Sequence, residues 1–120
     1  MTSRHIPQQG DIYWIDPNPT VGREMKDRHR WVVITPKEIN ALGLTSVVPV
    51  TSGGAFAKKH NLTVLISGHD TTGLAVCNQI RSFDIPESVK AGNARYIETL
   101  DHFTIREIID QVVNIIDPEI

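Results

Sequence analysis

The sequence predicts a mainly β domain, a small and strongly bent antiparallel sheet or barrel with one helix packed against it. Short β-branched and aromatic runs recur about every 8–15 residues, which is typical of strands. Clusters of Gly, Pro, Asn and Asp separate these runs, as turns require. Near the C-terminus, apolar residues instead recur at steps of three and four, which is the spacing of a helix face.

The first half of the chain contains three predicted strands, at residues 11–15, 31–35 and 44–50. Asp16-Pro17 signals a turn after the first strand, and Pro36 ends the second. Residues 17–30 carry few core-forming side chains, so we expect a loop there. Long ordered loops in small domains are often functional. Residues 37–42 predict one helical turn before the third strand.

The second half contains further strands and the helix. The strands cover residues 62–66, 74–82 and 94–97, with turns at 51–54 and 68–73. Either Asp101 or a capping box beginning at Thr104 starts the helix, and Pro118 ends it. The apolar face of this helix consists of Ile105, Ile108, Ile109, Val112 and Ile116.

The composition indicates one globular domain spanning residues 1–120. Hydrophobic residues make up 40% and charged residues 22%, which argues against disorder. A net charge of −2 disfavours a protein that wraps duplex nucleic acid. The single cysteine, Cys77, excludes an internal disulfide and fits a reducing cytoplasm. No apolar run approaches the roughly 18 residues of a membrane span, and no secretory signal is visible. We therefore expect a soluble cytoplasmic protein without a membrane partner.

Residues 22–30 form the most unusual stretch, with four Lys or Arg, two acids and one histidine. The stretch carries +2, so the rest of a chain of net charge −2 carries −4. A local positive patch suits one phosphate, although a solvated charged loop has the same composition. Metal-free RNA cleavage needs a base for the 2′-hydroxyl proton and a cation or acid for the phosphate. Glu24 beside arginines suits that chemistry, and a surface ion pair is the alternative.

The remaining polar residues predict a phosphate contact but no metal site. Hydroxyl and backbone N–H groups of Thr51-Ser52-Gly53-Gly54 suit a phosphate oxygen, or these residues simply form a hairpin connection. The five histidines lack metal-ligand spacing, so neither metal nor cofactor is expected. His29 stands out because of its charged neighbours. Cys77 is expected to be a buried small hydrophobe. Trp31 is expected to lie in the core or to stack on a base.

Several ordered motifs occur together in one known family. They are GDIYWIDP (residues 10–17), PTVGRE (19–24), VVITP (32–36), VPVTSGGAFA (48–57) and TGLAVCNQIRS (72–82). With these motifs and its apolar C-terminal helix, the chain resembles the PemK/MazF toxins over about residues 8–116. The resemblance implies a small SH3-like or CcdB-like barrel.

The resemblance also implies a function. Members of this family are toxins of type II toxin–antitoxin pairs that cut single-stranded RNA at short motifs without metal. The expected products carry 2′,3′-cyclic phosphate and 5′-hydroxyl ends. The protein is expected to be a homodimer with RNA lying across the dimer groove. A PemI/MazE-like antitoxin is expected to block that groove and to link the pair to operator DNA.

The family's catalytic residues carry over one position at a time. The glutamate after the Pro-Thr-x-Gly motif corresponds to Glu24, a candidate general base, and the family threonine corresponds to Thr51, which would hold phosphate. An ungapped count puts His29 at the family arginine and Arg30 at the following proline. Either Arg28 or Arg30 then supplies the cation, or His29 serves as the acid. We favour Arg28 over Arg30, because the sheet fixes the direction of a side chain close to the strand.

Two departures separate this chain from the PemK branch. That branch uses an arginine and an aspartate at the positions of Val76 and Asn78. An asparagine cannot act as a base, so the mechanism is closer to the Glu, Arg and Thr set of the MazF branch. The residues expected to contact RNA around the site are Arg23, Lys26, Ser52, Phe56, Lys58, Asn78 and Gln79.

Two other functions remain open on the same fold. A CcdB-like gyrase poison is associated with a tryptophan in the C-terminal tail, and residues 116–120 contain none. A non-catalytic RNA-binding module would fit the changed arginine position and Asn78.

Overall fold

The computed structural model describes residues 5–17, 29–52 and 62–118, and an antiparallel sheet organises them. In chain order the elements are β1 (Asp11–Ile15), β2 (His29–Val33), α1 (Lys37–Asn40), β3 (Thr45–Thr51), β4 (Thr63–Ser67), β5 (Thr72–Val76), β6 (Arg81–Phe83), α2 (Ile85–Lys90), β7 (Ala94–Thr99) and α3 (His102–Ile116).

The sheet is built around its longest strand, β3. The strands lie in the order β4-β5-β3-β2-β1-β7, and β6 also pairs with β3. One edge of β3 pairs with β2, and the other edge pairs first with β6 and then with β5. All of these pairs are antiparallel. The register aligns Ile12, Val32 and Val48 in one row, so their side chains share one face of the sheet.

Each face of the sheet packs under a helix. The face that holds Ile12 and Val48 meets α3 through Ile108 and Val112 in the larger core cluster. The opposite face meets α2 through Ile85. The buried residues of that smaller cluster are Tyr13, Ile15, Trp31, Val33, Val47, Ile85 and Ala94. Because consecutive residues of a strand point to opposite faces, the central strands are apolar nearly throughout.

A side chain brings the two ends of the sheet together. Glu98 on β7 accepts hydrogen bonds from the backbone N–H groups of His69 and Asp70, both at 2.9 Å. Those two residues lie in the turn between β4 and β5, at the other end of the strand order. Among the described strands, β4 and β7 do not pair, so the sheet curls without closing as a ladder. The fold class predicted from the sequence is confirmed.

The elements differ from the predictions by one or two residues at several ends, and three differences are larger or bear on the site. Strand β2 begins at His29 and not at residue 31, because Ile15 and Trp14 extend its pairing with β1 to His29 and Arg30. The predicted strand at 74–82 is two strands, β5 and β6, separated by a turn at residues 77–80. Helix α2 was not predicted, although Asp84 caps it by accepting a hydrogen bond from Glu87 N.

The C-terminal helix follows the first of the two predicted starts. Asp101 is its N-cap, and the Asp101 carboxylate accepts a hydrogen bond from Thr104 N at 2.9 Å. This hydrogen bond and a second one from the Thr104 hydroxyl lower the pKa of Asp101. Of the helices that the structure describes, none has the length and apolar character needed to cross a membrane.

Candidate functional site

A depression of about 350 Å³ lies where several strands begin or end. Its lining comes from Trp14, His29, Arg30, Val50, Thr51, Ser52 and Thr72. The sheet register explains this set, because Arg30 pairs with Trp14 on one side and with Val50 on the other. The end of β1, the start of β2, the end of β3 and the start of β5 therefore meet at one place.

The depression adjoins both segments in which the sequence predicts catalytic or RNA-contacting residues. His29 and Ser52 line the depression, and each borders one of these segments in the chain. Six of the predicted site residues lie outside the described part of the chain. They are Arg23, Glu24, Lys26, Arg28, Phe56 and Lys58.

Arg30 lines the depression, and its guanidinium makes two hydrogen bonds. Its Nη1 donates a hydrogen bond to the Thr71 hydroxyl at 2.8 Å and another to the carbonyl oxygen of Asp70. Both acceptors belong to the turn between β4 and β5. From the sequence alone, Arg28 is favoured because the sheet fixes the direction of the Arg30 side chain. In the structure, that fixed direction takes the Arg30 side chain across the sheet to the turn that precedes β5.

Thr51 and Ser52, which both carry hydroxyl groups, line the same depression as Arg30. Thr51 is half-buried at the end of β3, and Ser52 is exposed. Gly73 permits the close packing here, because a Cβ atom at Gly73 would lie 2.7 Å from the Thr51 carbonyl oxygen. Gly73 also has a φ of +151°, which side-chain-bearing residues rarely adopt. The lining thus includes two residues with hydroxyl groups and one with a guanidinium, the residue types that bind a phosphate.

His29 and Trp31 lie on the opposite face of β2 from Arg30. Trp31 is only 3% exposed, so it belongs to the smaller core and is too buried to stack on a base. The His29 ring contacts the Trp31 ring edge-on at a centroid distance of 5.8 Å. The Arg81 guanidinium covers the same tryptophan, 5.7 Å from its ring centroid. His29 is therefore held beside the depression by an aromatic neighbour.

Two predicted RNA contacts lie elsewhere, and some lining residues were missed by the sequence. Asn78 and Gln79 are exposed in the turn between β5 and β6, and neither belongs to the described lining. Trp14 and Thr72 do line it, and the Arg95 guanidinium lies 5.7 Å from the Trp14 ring centroid. Trp14 lies at the site because it pairs with Arg30 on one side and with Arg95 on the other. Such a strand register cannot be read from a single sequence.

The described residues offer little to other kinds of chemistry. Across residues 5–17, 29–52 and 62–118, no group of three His, Cys, Asp or Glu residues is arranged to hold a metal ion. Cys77 is fully buried, and burial raises the pKa of its thiol to about 11. Its thiol is therefore protonated at neutral pH and is a poor nucleophile, as expected of a buried small hydrophobe.

Comparison with known proteins shows the family of this chain. A family model described as PemK-like, MazF-like toxin of type II toxin–antitoxin system matches residues 8–116. The chain belongs to this family. Endoribonuclease PemK of Escherichia coli is 30% identical over 112 residues, which cover 91% of this chain and 81% of that protein. Endoribonuclease toxin MazF of Escherichia coli strain K12 is 34% identical over 83 residues, covering 68% and 72%.

Solved structures of PemK/MazF relatives share the fold. A crystal structure of MazE–MazF from Deinococcus radiodurans superposes with a TM-score of 0.71. The match covers 94% of this chain and 97% of that one at 20% sequence identity. The resemblance to the PemK/MazF toxins seen in the motifs is confirmed.

Proposed function

We propose that this PemK/MazF-family protein is a metal-independent endoribonuclease that cleaves single-stranded RNA at short sequence motifs. The observation that carries the proposal is the depression that Arg30, Thr51 and Ser52 line together. His29, at its rim, borders the segment that contains Glu24. The relatives PemK and MazF are named endoribonucleases, which supports the same activity here.

The proposed reaction is an internal transfer at one phosphate. Glu24 takes the proton from a ribose 2′-hydroxyl, and the freed oxygen attacks the adjacent phosphorus. The bond from phosphorus to the 5′-oxygen of the next nucleotide then breaks, and that oxygen receives a proton. The products are a 2′,3′-cyclic phosphate and a 5′-hydroxyl. The residues of this chain supply the base, the acid and the charge stabilisation, so no metal takes part.

Arg30 is the cation of this mechanism. Negative charge accumulates on the phosphate oxygens as the 2′-oxygen bonds to phosphorus, and a fixed guanidinium stabilises that charge. Two hydrogen bonds from Nη1, to the Asp70 carbonyl oxygen and the Thr71 hydroxyl, fix the direction of the group before RNA arrives. Thr51 and Ser52 orient the phosphate through their hydroxyl groups. His29 or Arg28 protonates the leaving 5′-oxygen.

The proposal includes two protein partners. A second copy of the chain would form a dimer whose groove carries the RNA, and an antitoxin would occupy that groove. Exposed apolar side chains support such interfaces, among them Phe103 and Ile116 on α3 and Leu65 on β4. The structural relative from Deinococcus radiodurans is a MazE–MazF complex, which also supports an antitoxin partner. Contact with operator DNA would occur only through the antitoxin.

The test is cleavage of a long unstructured RNA by the purified protein in excess EDTA, with the cut sites and end groups mapped. Wild type should make discrete cuts with 2′,3′-cyclic phosphate ends. Arg30→Ala and Glu24→Gln should each lower the cleavage rate by about 100-fold or more, since each removes a charge acting at the reacting phosphate. Arg106→Ala is the matched control, because Arg106 is exposed on α3 and pairs only weakly with Asp110 at 3.5 Å.

Three outcomes would contradict the proposal. RNA that is bound but uncut by folded wild type would indicate a binding module. Inhibition of gyrase supercoiling without RNA cleavage would indicate a poison of the CcdB type. Normal cleavage by Arg30→Ala would show that the guanidinium in the depression is not the catalytic cation.

A further inference from the structure

Glu98 lies on β7, outside the depression, yet hydrogen bonds connect it to Arg30. We infer that Glu98 is a positioning residue, which fixes the Arg30 guanidinium through the turn at residues 68–71. The inference rests on the proposed function, because it assigns Arg30 its orientation for the same reaction.

The Glu98 carboxylate is buried and depends on the turn for its hydrogen bonds. The residue is 9% exposed, and its partner in the sheet register is Ile12 of the larger core. Oε1 accepts from His69 N and Oε2 accepts from Asp70 N, each at 2.9 Å. A buried carboxylate is costly unless hydrogen bonds replace water. Breaking this contact would therefore expose the carboxylate and release the turn together.

The electrostatics agree with an ionised Glu98. Burial raises the pKa of this carboxyl group, but hydrogen bonds from Asp70 N, the Thr71 hydroxyl and His69 N lower it, and the net shift is downward. A charged acceptor makes stronger hydrogen bonds than a neutral one. The turn is thus attached to β7 by charge-assisted bonds at neutral pH.

Gly68 is the residue of the turn that leaves room for the Glu98 carboxylate. A Cβ atom at Gly68 would lie 2.7 Å from Glu98 Oε1 and 2.9 Å from Oε2. Gly68 N also donates to the Thr71 carbonyl oxygen at 2.8 Å, which closes the turn. Any side chain at position 68 would push the carboxylate out of its place.

The opposite side of the turn holds Arg30. Asp70 donates its N–H to Glu98 and accepts from Arg30 Nη1 through its carbonyl oxygen. The Thr71 hydroxyl accepts from the same Nη1 at 2.8 Å and donates to Glu98. A hydroxyl group can make both bonds at once, because it has one hydrogen and two lone pairs. The backbone of one residue, Asp70, and one hydroxyl therefore connect the carboxylate to the guanidinium without a direct contact between them.

This connection should matter most in the transition state. Preorganised donors stabilise developing charge because they need not reorient during the reaction. If the turn relaxes, the two oxygen atoms that accept hydrogen bonds from Arg30 Nη1 move, and the guanidinium is no longer held in one direction. A substitution that weakens the hydrogen bonds between Glu98 and the turn should then lower kcat more than it raises KM. We expect Glu98→Gln to lose about 10-fold in single-turnover cleavage, the usual effect of losing one charged hydrogen bond.

A double-mutant cycle separates positioning from general stability. Glu98→Gln is measured in wild type and in Arg30→Ala, with Glu107→Gln on the exposed side of α3 as the matched control. If Glu98 acts through Arg30, its substitution costs under about twofold once Arg30 is gone. An equal loss in both backgrounds overturns the inference. Should Glu98→Gln fail to fold, Gly68→Ala replaces it in the cycle, because a Cβ atom at that position displaces the Glu98 carboxylate.

A second readout does not depend on RNA cleavage. In ¹⁵N NMR spectra, a guanidinium held by fixed acceptors shows slow rotation about its Cζ–N bonds. The Arg30 rotation should be slow in wild type and in Glu107→Gln, and faster in Glu98→Gln and Thr71→Val. Unchanged Arg30 rotation in Glu98→Gln refutes the positioning role, whatever the rotation in Thr71→Val. Failure of wild type to cut RNA refutes the proposed function alone, since the NMR comparison still decides how Arg30 is held.

Discussion

Replacing Gly10 with alanine tests how the start of β1 is packed against α3. Gly10 lies between two segments, because its N–H donates to the Val33 carbonyl at 2.8 Å and its carbonyl accepts from Leu100 N at 3.0 Å. Its φ is +96°, in the left-handed region. A Cβ atom at this position would lie 1.9 Å from Cδ1 of Ile105 and 2.6 Å from Cγ1. The substitution therefore combines backbone strain with a collision inside the α3 contact.

Backbone strain and the collision with Ile105 each lower the free energy of unfolding, and each contribution can be calculated separately. A non-glycine residue in the left-handed region costs about 1–2 kcal/mol, and the more restricted unfolded chain returns about 0.4–1 kcal/mol. Forcing an extra carbon into a packed contact costs about 1–3 kcal/mol. Gly10→Ala should thus lower the free energy of unfolding by about 2–4 kcal/mol. In an Ile105→Ala background, which lacks Cδ1 and Cγ1, the same change should cost only about 1 kcal/mol.

Urea unfolding, followed by tryptophan fluorescence, measures this difference. The four proteins compared are wild type, Gly10→Ala, Ile105→Ala and the double variant. Gly43→Ala is the matched control, because Gly43 has a φ of +129° and no described atom lies within 4 Å of the place that a Cβ atom would take there. It should cost about 1 kcal/mol in either background. If Gly10→Ala costs the same with and without the Ile105 side chain, the packing explanation is refuted and only the backbone term remains.

Three further substitutions test the core, a buried hydroxyl and a buried charge. Ile108→Ala should lower the free energy of unfolding in urea by about 3 kcal/mol, because Ile108 is 1% exposed. Ile116→Ala, at an exposed site, is the control and should lower it by under about 0.5 kcal/mol. Equal losses in the two variants would contradict this prediction. Thr45→Val should raise Tm by about 3–5 °C, because the fully buried Thr45 hydroxyl lacks a hydrogen-bond partner among the described atoms; a fall in Tm would count against that account. Wild type should lose stability as pH falls below the ordinary Glu pKa of 4.5, since the folded state lowers the pKa of Glu98 and protonation weakens its hydrogen bonds. Glu98→Gln should show a smaller loss over that range, and identical pH profiles would exclude this contribution.

Local patterns predict the fold where local and long-range preferences agree. Strand β1 occupies residues 11–15 as expected, because its β-branched and aromatic residues face cores on both sides. The start of β2 could not be read from His29 and Arg30, whose polar side chains resemble those of a loop. Their strand conformation comes from pairing with Ile15 and Trp14, which is a tertiary effect.

The candidate site is predicted in part for a similar reason. Thr51 and Arg30 were named from the sequence, and both line the depression. The sequence could not show that Arg30 reaches the Asp70–Thr71 turn, because that contact joins residues 40 and 41 positions apart. Trp14 and Thr72 enter the lining through strand register alone.

The pairing of β1 with β7 has a consequence for how the protein is made. Thr99 donates its hydroxyl hydrogen to Asp11, a contact that spans 88 positions of the chain. A nascent chain that stops before residue 94 lacks β7, which leaves β1 as an open strand edge, and lacks α3, which leaves Ile12 and Val48 uncovered. Such fragments should aggregate or be degraded. The curled sheet, and with it the depression around Arg30, then forms only after β7 and α3 have been synthesised.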